Sequence, residues 1–134
     1  TNVKDPLNPA FADDPAMAEY LDTIDTYGET DVDPENGIVA YGYTQAALLE
    51  QILGSLDELN RVNLMNAMYD LDGLTGGLLL DGVTVNTSPE DRFLAEDVQL
   101  IQYDAANAYF TNIGDVPDLE GKTTEGTRAD LINS

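Results

Sequence analysis

Residues 37–53 read GIVAYGYTQAALLEQIL. This stretch opens as a loop or strand end and closes as an amphipathic helix. From about Ile38 or Tyr41 to Leu53 or Leu56, the side chains of Tyr41, Gln45, Leu48, Ile52 and Leu56 fall on one helical face, with Ala46, Leu49 and Leu53 beside them. A stripe that wide belongs to a helix packed on a sheet or on other helices. Tyr41 and Tyr43 flank Gly42 at the helix mouth. Two positions along a helix lie about 200° apart around its axis, so both rings cannot enter one core. One must look elsewhere. Gly42 permits close backbone approach at that point, so a ligand-facing ring is expected there.

Helical patterns continue on either side. Asp14 and Pro15 supply an N-cap and a first-turn proline, and Met17, Tyr20, Leu21 and Ile24 follow at helical spacing as far as Tyr27-Gly28. Residues 29–36 form a polar connection. Asn60 can cap a third helix carrying Leu64, Met65, Met68 and Leu71, which Asp72-Gly73 and Gly76-Gly77 close. Residues 78–85 are an apolar run broken by Asp81-Gly82, and residues 98–104 and 108–113 are strand-like around a short turn, a hairpin pattern. Residues 1–13 read as an irregular lead-in and residues 116–134 as a polar tail with one apolar pair, Leu131-Ile132. The expected class is therefore α/β: about three helices followed by a few short strands including a hairpin. A hairpin with one short edge makes a poor sheet. Three apolar helix faces need a larger platform, so the chain reads as a piece of a larger fold.

Charge and missing residue types narrow the chemistry. The 134 residues include 26 Asp+Glu against 5 Lys+Arg, a net charge of -21. Such a surface repels phosphate backbones and anionic lipid, which argues against nucleic acid as a partner. Cysteine and histidine are both absent. The chain thus offers no thiol nucleophile, no imidazole base and no ordinary zinc or copper site, and no cofactor or metal is expected. No apolar run approaches the ~20 residues that cross a bilayer. The sequence starts at Thr1 without Met or a signal peptide, so the true N-terminus is expected upstream. Asp31, Asp33 and Glu35 begin like a calcium loop, but Asn36 stands where its glycine belongs and Gly42 where its last glutamate belongs; an acidic turn is expected instead. Asn86-Thr87-Ser88 fits a glycosylation sequon and marks a surface loop. The pairs Asp13-Asp14, Asp57-Glu58, Glu90-Asp91 and Glu96-Asp97 read as solvated surface, Met65 and Met68 as core, and Tyr20, Tyr69 and Tyr109 as half-buried rings with exposed hydroxyls.

Taken in order, GIVAYGYTQAALLEQILGSL, LNRVNLMNAMYDLDGLTGG and DGVTVNTSPEDRFLAEDVQLIQYDAANAYFTNIGDV resemble the C-terminal part of a known family. It is the extracytoplasmic solute-binding proteins of ABC transporters, of the leucine/isoleucine/valine-binding (type I periplasmic binding protein) kind, and the likeness covers roughly residues 14–116. The resemblance implies a C-terminal fragment of a two-lobed α/β fold that closes on a small solute, its N-terminal two-thirds absent. Residues 1–97 would belong mainly to one lobe, and residues 98–134 would give a crossover strand, hairpin and tail to the other. It also implies a periplasmic or cell-surface location, non-catalytic binding of an amino acid or amide-like solute, and an ABC-transporter permease as partner. The loop entering the 37–53 helix borders the cleft in that family, so Tyr41 first and Tyr43 second are the expected ligand-binding residues. A ligand-sensing receptor of the same fold is the alternative, with a carboxylate-dependent hydrolase behind it. If these residues act alone, their uncovered helix faces predict self-association, by strand exchange among other routes.

Overall fold

Each helix begins where a short polar side chain can accept from helical N–H groups that have no partner within the helix. Asp14 Oδ1 accepts from Ala16 N and Met17 N at 2.8 and 3.4 Å and opens α1 (Pro15–Tyr27). Asn36 Oδ1 accepts from Ile38 N at 2.9 Å and opens α2 (Gly37–Gly54); Asn60 Oδ1 accepts from Asn63 N at 2.9 Å and opens α3 (Arg61–Ala67). A hairpin of β1 (Leu100–Asp104) and β2 (Tyr109–Ile113) follows, and one 3-10 turn, Pro9–Phe11, precedes them. The computed structural model describes residues 1–119 and Lys122, so the Leu131-Ile132 pair lies outside it. The described architecture is mixed α/β, three helices then a two-stranded antiparallel sheet. Of the two expected starts, α2 takes the earlier. Residues 37–40 are helical rather than a loop or strand end, because Asn36 caps the chain there and Ala40 is buried, which outweighs the β-branched Ile38 and Val39.

The core gathers around a segment without regular structure. Met17 and Tyr20 of α1 and Ala40 and Leu48 of α2 pack with Val3, Leu78, Leu79, Leu80, Val83 and Val85. Residues 78–85, expected as a strand run, make only isolated bridges, Leu79 with Val3 and Val85 with Leu74. Asp81-Gly82 turns the chain, with Val83 N–H donating to Leu80 C=O at 3.0 Å. The buried polar backbone of this strap is satisfied by residues 1–4: Lys4 N–H donates to Leu78 C=O at 2.7 Å and Leu80 N–H to Asn2 C=O at 3.0 Å. The lead-in is irregular as expected, apart from one 3-10 turn and the Val3–Leu79 bridge, yet its first residues are structural partners of the strap. Lys4 completes it, its ammonium 2.6 Å from Asp14 and 3.2 Å from Asp81.

The strap crosses α2 at unusually short range. A Cβ at Gly77, where φ is +55°, would stand 2.8 Å from Thr44 Cα, so only glycine fits. Thr44 is fully buried; its hydroxyl donates to Ala40 C=O at 2.9 Å and accepts from Leu78 N–H at 3.1 Å. The inward face of α2 is thus Ala40, Thr44, Leu48 and Ile52, and Tyr41 and Gln45 turn outward. That is a rotation from the expected face, set by a polar residue whose hydroxyl is satisfied on both sides.

Other expectations are corrected by burial. Met65 is 40% exposed and Met68 half-buried, because α3 ends after Ala67 and buries no residue completely. Tyr20 is fully buried, hydroxyl included, which donates to Pro34 C=O at 2.7 Å. Glu96 and Asp97 are buried rather than solvated, and Asp97 Oδ1 accepts from Leu119 N at 2.6 Å.

Candidate ligand-facing site around Tyr41

Helix α2 separates the two tyrosines as its pitch requires. The Tyr43 ring turns in and meets Tyr20 edge-on, centroids 5.1 Å apart at 60°, a favoured aromatic geometry. Burial pushes the Tyr43 hydroxyl above its ordinary pKa, the charges of Glu19 and Glu50 add to this, and a hydrogen bond with Thr23 opposes it. Tyr20 is raised too, by burial and then by the charge of Asp33. The Tyr41 ring turns out and is 51% exposed. The structure therefore does not bring the two together: Tyr43 is committed to packing against α1, and Tyr41 to the opposite side.

Tyr41 stands between two hollows. One, of about 420 Å³, lies along the flank of α2 where its inward and outward faces meet, between Leu48, Leu49 and Ile52 on that helix and Met68, Leu74 and Leu94 across from it. Among the described residues only Asn2, Gln45 and the Tyr41 hydroxyl bring side-chain polarity to its wall, and no Asp, Glu, Lys or Arg lines it. In so acidic a chain this lining selects for an uncharged, apolar group. The other, of about 360 Å³, opens between residues 1–5 and the hairpin, with Ile101 and Phe110 on one side and Lys4, Asp5 and Glu35 on the other. Both volumes are of small-molecule size, and Tyr41 is common to them.

The far wall of the first hollow was invisible to helical periodicity. Leu74 and Leu94 arrive from connections, positioned by hydrogen bonds among distant residues. Asn86 Oδ1 accepts from Gly73 N at 2.6 Å, and the Thr87 hydroxyl accepts from Leu71 N at 3.0 Å while donating to Met68 C=O at 2.9 Å. The sequon residues thus hold the third helix's exit against the 85–95 loop. Asp33 Oδ1 accepts from Glu35 N at 3.0 Å, a local turn of the expected acidic kind. Among the described residues no three His, Cys, Asp or Glu side chains are placed to hold a metal ion. Compared with protein-family models, curated proteins and solved structures, the chain matches none of them.

Proposed function

We propose that this chain is the C-terminal portion of a two-lobed, extracytoplasmic solute-binding protein that delivers an amino acid or amide-like solute to an ABC-transporter permease, without chemistry on the solute. The observation that carries the reading is Tyr41: a half-exposed aromatic ring on a rigid helix, shared by two hollows of ligand size while its neighbour Tyr43 is packed away. A ring so placed can cover an aliphatic or aromatic side chain of the solute. The uncharged hollow beside it fits that part of the solute and not its ammonium or carboxylate, whose polar partners the second lobe would supply on closure. The exposed Leu49 and Ile38 along the same helix support a further covering of polypeptide.

Calorimetric titration of the natural polypeptide carrying these residues, with leucine, isoleucine, valine, their amides and urea, tests the reading. Binding of at least one solute is expected, and silence across the panel counts against it. A receptor that passes ligand occupancy to a signalling partner has the same site; only response of a permease to the loaded protein separates the two.

A further inference from the structure

Of the chain's asparagines, only Asn36 precedes a glycine. In an Asn-Gly pair the following amide nitrogen can attack the side-chain carbonyl carbon, and glycine has no Cβ to hinder it. The fold leaves both partners open to water. Asn36 and Gly37 are exposed, and a Cβ at Gly37 would meet nothing within 4 Å. Gly37 is the first residue of α2, so its N–H has no partner within the helix. Among the described residues none accepts from it.

The cap that Asn36 makes holds this chemistry back. Its Oδ1 accepts from Ile38 N at 2.9 Å, and its C=O accepts from Val39 N and Ala40 N at 2.9 and 3.2 Å. On the other side, Asn36 N–H donates to Asp33 C=O at 3.1 Å. Closing a ring on the side chain needs the Gly37 nitrogen eclipsed with the Asn36 Cβ. A ψ of 115° turns that nitrogen well away, and the hydrogen bonds on both sides keep it there. Attack therefore waits until the first turn of α2 opens, a local fluctuation that costs less than unfolding the whole molecule.

We propose that Asn36 is a site of spontaneous deamidation, gated by opening of the first turn of α2, and that its isoaspartyl product undoes that turn. The Gly37 nitrogen, its proton lost to solvent base, bonds to Asn36 Cγ. The Cγ–Nδ2 bond breaks, and Nδ2 leaves as ammonia with a proton taken from water. Water then opens the cyclic imide at one of its two carbonyl carbons. Opening at Cγ gives aspartate, which still caps the helix and puts a negative charge at its N-terminus. Opening at the main-chain carbonyl carbon gives isoaspartate, whose backbone runs through Cβ and Cγ and is one methylene longer. The oxygen that accepts from Val39 N and Ala40 N then belongs to a carboxylate off the main chain. The turn leading to the buried Ala40 loses its anchor. This inference is independent of the solute-binding reading, although Tyr41 is the next residue.

The test incubates the natural polypeptide carrying these residues in mildly alkaline buffer, folded and, in parallel, unfolded in urea. Peptide mass spectrometry with electron-transfer fragmentation reads residue 36 and tells isoaspartate from aspartate. Conversion is expected in the folded chain, at least about tenfold more slowly than in urea. Gly37→Ala should suppress it in both states with an unchanged far-ultraviolet circular dichroism spectrum, because the added methyl meets nothing. In hydrogen exchange the purified isoaspartyl form should lose protection at Val39 and Ala40, and Asn36→Asp should keep it. Absence of conversion in the folded chain overturns the site, and equal rates in the two states overturn the gate. An isoaspartyl form in which Val39 and Ala40 stay protected overturns the structural consequence.

Discussion

Thr44 does more to fix the orientation of α2 than any of its leucines. Its hydroxyl joins the helix to the 78–85 strap by accepting from Leu78 N–H, a fully buried donor with no route to water. Thr44→Val keeps the shape and strands that donor, so we expect urea unfolding to show a loss of about 1–3 kcal/mol. Ala108 offers the opposite case. It closes the hairpin turn at φ +61°, where a Cβ is strained, so Ala108→Gly should stabilise the protein by roughly 0.5–1 kcal/mol in the same assay. These two sites also show what was legible in the sequence. Asp14, Asn36 and Asn60 could be read because a cap acts within three residues of itself. Thr44 could not: its partner lies 34 residues away, and a threonine in an apolar helix carries no local mark of burial. Tyr41 was legible as one of two outward candidates from helix pitch alone, but which ring turned inward depended on Tyr20, on another helix.

Among the elements, α1 is joined to the N-terminal segment by an ion pair at its first turn, Lys4 with Asp14. The hydrogen bond from Lys4 holds the Asp14 carboxyl below its ordinary pKa, against the opposing effect of burial. A carboxyl lowered on folding adds stability that is present above its unfolded pKa and is lost as pH falls through the folded one. Burial by itself would lower Lys4, yet the hydrogen bonds and charges of Asp14 and Asp81 outweigh it and raise the ammonium. That contribution is present below the unfolded lysine value and is lost as pH rises through the folded one. Thermal melts should therefore show Asp14→Asn lowering the neutral plateau, where the carboxylate's contribution is fully present, and so flattening the acid limb below about pH 4; asparagine still caps the helix, so the cap itself is kept. The hairpin behaves differently. It was readable from its alternating strands and short turn, but its exposed faces give it little beyond its own ladder and the Gln99 amide, which donates to Ile113 C=O at 2.7 Å. Hydrogen exchange should protect the amides of Ala40 to Leu48 well above those of Leu100 to Asp104.

At the scale of the whole molecule, a net charge of -21 sits on a core that, among the described residues, gathers ten buried apolar side chains around an irregular strap. Raising monovalent salt from about 0.1 M to about 1 M shortens the Debye length from ~10 to ~3 Å, and we expect the melting temperature to rise across that range as self-repulsion is screened. Helix count, helix order and hairpin were legible because each rests on short-range periodicity. The strap was not, since its backbone is satisfied by residues 1–4, more than 70 positions earlier in the chain. The uncharged hollow beside Tyr41 was equally hidden, because its far wall is assembled from loops. The most direct measurement on the account is a calorimetric comparison of the natural polypeptide with its Tyr41→Ala and Tyr43→Phe variants, using the solute that gives heat. Binding should weaken at least about tenfold for Tyr41→Ala and stay near the parent value for Tyr43→Phe, whose ring still packs on Tyr20. Equal affinity in the parent and Tyr41→Ala would contradict the assignment of the outward ring to the solute.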